Sequence, residues 1–249
     1  MSNALQAWSP LLGEDRARSL AARALAASDA TATEVRVAAR AGEHTRFAGD
    51  RIHQPQDVTE LSIDVRCVVT GPGGTWAARA GTGTPAGIDA AVARACAAAR
   101  ARAAAGMPGH AHGVAAPAPG GVLPEAVLLR PGTAAFDAGA RAAAAARVMT
   151  AAAALGGRSA GMIGRALTEV AVATSAGVDV YAAATEASGS LTVSVDDGSS
   201  HWADLDRDVA VLDVDGAIER TLAEADRSRF PVPSRPGTYD VVLGPLAAG

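Results

Sequence analysis

The chain has 249 residues, a formal net charge of −4, 49% hydrophobic but only 3% aromatic residues, and 22 basic residues that are all arginine. Without lysine there can be no phosphate-loop lysine, no Schiff-base lysine and no ε-amino general base. The acidic balance and scarce rings argue against a nucleic-acid surface, no stretch approaches the ~20 apolar residues of a membrane span, and Met1 to Asp15 lacks the regions of a secretory signal, so a soluble cytoplasmic protein is expected.

Glu14 and Asp15 open a first helix that runs to about Ala27, with Leu20, Ala24 and Ala27 at helical spacing. The period then changes to two. Glu34 to Val37 alternates, an Ala41-Gly42 turn leads into Thr45-Arg46-Phe47, and Leu61, Ile63, Val65, Cys67 and Val69 share one face of a strand. Gly71 to Gly74 reads as a turn returning through Thr75-Trp76-Ala77, and Thr84-Pro85 caps a second helix to about Ala105. Cys67 and Cys96 lack CxxC spacing and read as buried apolar residues.

Five prolines between Gly106 and Pro131 mark a linker or long surface loop. A third helix is predicted over about Thr133 to Leu155, stopped by Gly156-Gly157. Strands follow from Arg158 to about Asp206, with turns at Ser175-Ala176-Gly177 and Ser188-Gly189, then a fourth helix from Asp213 to Arg227 and a final strand over Tyr239 to Leu243. The expected fold is α+β, with antiparallel sheets, packed helices and two helix–strands–helix units. The expected organisation is a first unit over 1–105, the linker over 106–131 and a second unit over 132–249. This order hints at duplicated architecture.

Gly157-Arg158-Ser159-Ala160-Gly161 matches the GxSxG pattern, but a helix precedes it where a nucleophile elbow needs a strand, so a helix-stop turn is expected. His44, His53, His110, His112 and His201 include no HExxH pair, and His110-Ala111-His112 has no evident third ligand. Gly81-Thr82-Gly83-Thr84 departs from GxGxxG and reads as a turn with a cap. Asp204, Asp206 and Asp208 read as a solvated strand end.

His44-Thr45-Arg46-Phe47-Ala48-Gly49-Asp50-Arg51-Ile52-His53-Gln54 resembles the TRFANNxIHQ segment of the TldD/PmbA family, long labelled modulators of DNA gyrase. Glu169 to Val178, Thr185 to Ser188 and Pro236 to Pro245 are similar to further family segments in the same order. The resemblance implies an α+β fold and a zinc metallopeptidase of paired TldD-like and PmbA-like (TldE-like) subunits, acting on unfolded peptides or on precursors of modified peptides. In the family, two histidines and a glutamate that bind the metal follow the strand corresponding to Tyr239 to Leu243. Here Gly244-Pro245-Leu246-Ala247-Ala248 follows and the chain stops at Gly249.

The expectation is therefore the N-terminal portion of a PmbA/TldE-like, non-catalytic subunit, with the family's C-terminal domain missing, no catalytic or metal-binding residue in this chain, and zinc in a TldD-like partner. The partner would form a heterodimer or higher assembly and the substrate would be a peptide; neither nucleic acid nor membrane is expected. Arg46, Arg51, His53, Thr185 and Glu186 are the candidate groove or partner contacts, against the simpler reading that they satisfy hairpin hydrogen bonds and salt bridges. The alternative function is a truncated or split protein-interaction module without a proteolytic role.

Overall fold

The computed structural model describes residues 11–115, 128–233, 235–244 and 247. Helix α1 (Glu14–Ala26) leads into a meander of β1 (Ala32–Ala48), β2 (Arg51–Gly71) and β3 (Gly74–Thr82), and α2 (Ile88–Ala104) closes the first unit. After the short β4 (Gly109–His110) and α3 (Pro131–Ala134), α4 (Ala138–Ala154) leads into β5 (Arg158–Thr174), β6 (Asp179–Val195) and β7 (Gly198–Asp206), followed by α5 (Val214–Arg227). The two meanders join through antiparallel β1 and β5 in one sheet of order β4-β3-β2-β1-β5-β6-β7. Among the described strands only β4 pairs in parallel, through two residues of β3. The hint of duplication is thus written into the topology: β1 and β5 each have 17 residues, β3 and β7 each have 9, and a helix flanks each meander on either side.

Strand alternation decides where the helices lie. Val35, Val37 and Phe47 on β1, Ile163, Ala171 and Ala173 on β5, and Leu191 and Val193 on β6 are all odd-numbered and buried, so the four long helices cover a single face. Helices α1 and α2 pack over one end, against Val35, Val37, Val65, Cys67 and Ala171. Helices α4 and α5 pack over the other, against Phe47, Ile163, Leu191 and Val193. Each large side chain among these contributes about 1.5–3 kcal/mol on burial, while alanines such as Ala21, Ala95, Ala145 and Ala217 fill the helix sides.

The same face also buries charge. Glu43 of β1 accepts hydrogen bonds from Arg165 of β5 at 2.7 Å and pairs at 2.8 Å with Arg141 of α4, whose side chain is only 2% exposed. Burial works against the Glu43 carboxylate, but the two guanidiniums outweigh it and hold its pKa below the ordinary value. Glu169 of β5, more deeply buried than Glu43, accepts the backbone N–H groups of Leu11, Leu12 and Gly13 at 2.8, 2.9 and 3.0 Å. These donors lead into α1, whose N-cap Gly13 has no side chain to offer, so the strand supplies the anion that the helix start requires.

Several expected boundaries move. No turn occurs at Ala41-Gly42: β1 continues to Ala48, and the chain reverses at Gly49-Asp50, where Gly49 takes φ +65°. Pro55 is accommodated inside β2 because β3 pairs only with Ile63 to Gly71, leaving the proline's outer side unpaired. The third helix is two helices, because Asp137 adopts an extended conformation and caps α4 by accepting the Ala140 N–H. Ser188-Gly189 is not a turn: Gly189 lies within β6, where an added Cβ would fall 2.6 Å from the Trp202 ring, and the reversal comes at Asp196-Asp197. Tyr239 to Leu243 forms no strand and is exposed, having no ladder partner among the described residues. The linker expected over 106–131 lies partly outside the described residues, at 116–127, as does the end of the segment Pro236 to Pro245.

Candidate binding site

Even-numbered residues of β1, β5 and β6 form the face that carries no long helix. At its hairpin end the pairing of β1 with β2 shifts between Arg46 and Phe47: Arg46 faces Gln54, Phe47 faces Ile52, and His53 is the extra residue of a bulge. A bulge breaks the alternation and re-aims the side chain. His53 accordingly lines a trough of about 400 Å³ together with Arg46, Met162, Ser190 and Thr192. Its floor includes Ala48 of β1 and Ala160 of β5, direct cross-strand partners. Arg51 lies opposite Ala48 on β2, placing it on the same face, and Arg46, Arg51 and His53 are all exposed. Three of the five candidate residues therefore gather at one end of the sheet.

The remaining two sit elsewhere. Glu186 is on the same face but pairs at 2.8 Å with Arg40, which also donates to the Thr168 hydroxyl. Thr185 is buried and points to the opposite face, where its hydroxyl accepts the Arg130 N–H and reaches the carbonyls of Leu128 and Arg207. Both border a second depression of about 380 Å³, beyond the end of β7, with Thr168, Asp206 and Arg207. Both side chains are thus engaged within the chain, Thr185 with residues 128–130 and Arg207, and Glu186 with Arg40.

Sequence reasoning did not single out His44, which faces Gly164 across the β1–β5 ladder. A Cβ on Gly164 would fall 2.5 Å from His44 Nδ1, so this glycine makes room for the ring. That buried nitrogen has no hydrogen-bond partner, and burial, reinforced by the charges of Arg40 and Arg141, lowers the His44 pKa. Ser190 and Thr192 were also missed; the alternation of β6 with its apolar odd residues was the available signal, and Thr192 Oγ1 lies 2.9 Å from Nδ1 of His201.

Other sequence candidates resolve simply. Ser159 lies on β5, buried, its hydroxyl without a hydrogen-bond partner and so without an activating base, while Gly156 at φ +68° ends α4. Cys67 and Cys96 are free and buried, with burial pushing the Cys67 thiol up to about 12. His112 contributes only its carbonyl, to Arg66, and the His110 side chain lies outside the described residues. Among the described residues no group of three or more His, Cys, Asp or Glu could hold a metal ion. No helix among them is long and apolar enough to cross a membrane.

Taken together, an antiparallel sheet of two joined meanders, helices on one face and a polar trough on the other define an α+β domain of duplicated plan. Residues 33–99, spanning β1 to most of α2, match the family model for PmbA/TldA metallopeptidase domain 1. The matched stretch includes the hairpin segment His44 to Gln54, so it agrees with the resemblance that this segment carries. Among solved structures it is similar to TldE from Thermococcus kodakarensis, with a TM-score of 0.67 and 17% identity over 84% of this chain and 46% of that one. A protein from Thermotoga maritima, labelled a candidate modulator of a DNA gyrase, matches with a TM-score of 0.67 and 13% identity over 84% of this chain and 47% of that one. A similarly labelled protein from Bacteroides thetaiotaomicron gives 0.67 and 14% over 87% and 51%. The chain spans about half the length of these solved chains. A search of curated proteins returns no match.

Proposed function

We propose that this chain is the N-terminal part of a PmbA/TldE-like subunit, itself non-catalytic, of a TldD/TldE-type zinc metallopeptidase assembly that acts on unfolded or modified peptides. The observation that carries the reading is the family match over the β1–β2–β3–α2 unit together with the shared fold with TldE. The described side chains do not fit a zinc site, since hydrolysis by zinc needs three ligands, an open position and a general base. The metal and the hydrolytic step are accordingly assigned to a TldD-like partner, and this chain's contribution is to pair with it and border the path of the peptide. Arg46, Arg51 and His53 are the side chains placed to make such contacts.

Co-expression with a TldD-like protein tests this. The expected result is a complex that co-elutes in size-exclusion chromatography, contains zinc and cleaves an unstructured peptide, with no zinc retained by this chain purified alone. If the chain stays apart from such partners, the subunit reading falls and the interaction module without a proteolytic role replaces it.

A further inference from the structure

The two ends of the helix-free face are related by the internal duplication, and one of them shows what the cradle holds. Ala48 is the last residue of β1 and Thr174 the last of β5. Thr192 faces Ala160, the third residue of β5, as Arg66 faces Glu34, the third residue of β1. Thr174 and Arg66 are therefore the counterparts of Ala48 and Thr192 in the trough. At that counterpart end the protein's own segment 111–115, outside any helix or strand, crosses the face. Arg66 donates to the carbonyls of His112 and Gly113 at 2.6 and 3.0 Å, and the Thr174 hydroxyl donates to the Ala115 carbonyl at 2.8 Å. An irregular stretch of chain laid across the strands, held by a guanidinium and a hydroxyl through its carbonyls, is what this surface accommodates.

Resting on the peptide-directed reading above, we propose that the trough at the hairpin end binds an extended, acidic peptide segment, with Ser190 and Thr192 offering hydroxyls to its backbone and Arg46 and Arg51 receiving its carboxylates. Charge complementarity selects the acidic sequence. Arg46 and Arg51 form no ion pair among the described residues, whereas Arg36 and Arg40, on β1 with Arg46, are paired with Asp64 and Glu186. Met162 adds apolar surface, and the small Ala48 and Ala160 leave room for a main chain to approach. Single-stranded nucleic acid is the less suited anion because among the described lining residues His53 is the one exposed ring and no Trp, Tyr or Phe offers a stacking platform; Phe47, although it borders the trough, is buried on the helix face.

Fluorescence anisotropy on the chain alone provides the test. The probe is a labelled Gly/Ser peptide bearing two aspartates, compared with its asparagine counterpart and a single-stranded oligonucleotide. The aspartate peptide is expected to bind about tenfold more tightly than the asparagine peptide, an advantage that shrinks with added salt. The exposed changes Arg46→Gln and Arg51→Gln should each remove most of it, while Arg66→Gln at the counterpart end should leave it intact. Equal binding of the two peptides, unchanged affinity in both trough variants, equal weakening by Arg66→Gln, or preference for the oligonucleotide would each overturn the proposal. The measurement needs no partner protein: retained acidic-peptide binding in a chain that pairs with no TldD-like protein would sink the subunit reading alone, and complex formation without it would sink the trough alone.

Discussion

The two halves of this domain repeat one another in outline and differ in the chemistry that fixes their helices. Glu43 and Glu169 are each the twelfth residue of a 17-residue strand, β1 and β5, and each supports the leading helix of the opposite half. Glu169 does so directly, by accepting three backbone N–H groups at the start of α1. Glu43 does so through a side chain, by pairing with Arg141 in the first turn of α4, while Asp137 takes over the cap itself. A duplicated scaffold has thus kept the position of a buried carboxylate and exchanged its partner. The difference matters energetically, because a guanidinium left behind in the core is a larger liability than the half-buried amide groups of residues 11–13.

That contrast ranks the expected damage. Glu43→Ala should cost the most, about 3–5 kcal/mol, since it leaves the nearly inaccessible Arg141 without its carboxylate. Chemical denaturation checks the value, and Glu43→Leu combined with Arg141→Leu should recover part of the loss, since Arg165 is deprived of Glu43 in both variants. The pairing also dictates a pH dependence. The folded-state pKa of Glu43 lies below its unfolded value, so its contribution is complete above the unfolded carboxylate range and disappears as pH falls through the depressed folded pKa. The wild type should accordingly lose stability on acidification more steeply than the Glu43→Leu/Arg141→Leu variant, and parallel curves would place the effect elsewhere. Glu169→Ala should cost less, about 2–3 kcal/mol, and act locally: hydrogen exchange should accelerate in the first turn of α1 while the amides of α4 keep their protection.

The comparison also separates what the sequence makes legible from what it hides. The helices over 14–26, 88–104 and 214–227 are readable from acids or proline at their starts and apolar spacing within. The hairpin motif likewise points to the stretch that the family model matches and to the residues Arg46, Arg51 and His53 that meet at one end of the face. Strand length is not readable in this way. Gly42 and Gly189 look like turns because glycine is the usual turn residue, yet they lie inside strands, Gly189 close against the Trp202 ring and Gly42 on the ladder opposite Ala166. With β1 cut short in the reading, His44 could not be followed onto the face; Thr192 alternates legibly with Leu191 and Val193, but the strand it lies beside is a long-range fact. Glu43 and Glu169 were equally opaque, because an acid in a strand reads as solvent-facing until its long-range partners are known. The exposed, unpaired course of Tyr239 to Leu243 shows the opposite failure: β propensity was present, but a strand also requires a neighbour.

The smallest expected effect sharpens the comparison at the helix caps, where both later helices use aspartate and α1 uses a distant glutamate. Asp137 accepts the Ala140 N–H from an extended conformation, and Asp213 accepts the Gly216 N–H from the left-handed region, at φ 43°. Asp137→Ala should therefore cost about 1 kcal/mol, the ordinary value of a lost cap. At Asp213 the backbone strain of a residue with a Cβ offsets part of what the cap contributes, so Asp213→Gly should cost only a few tenths. Its ion pair with Arg220 adds little to that figure, because both side chains are about 59% exposed. Thermal melts of the two variants side by side decide the matter. Equal losses would mean that the left-handed conformation stores no strain, and a larger loss at Asp213 would mean that the Arg220 pair contributes more than its exposure allows.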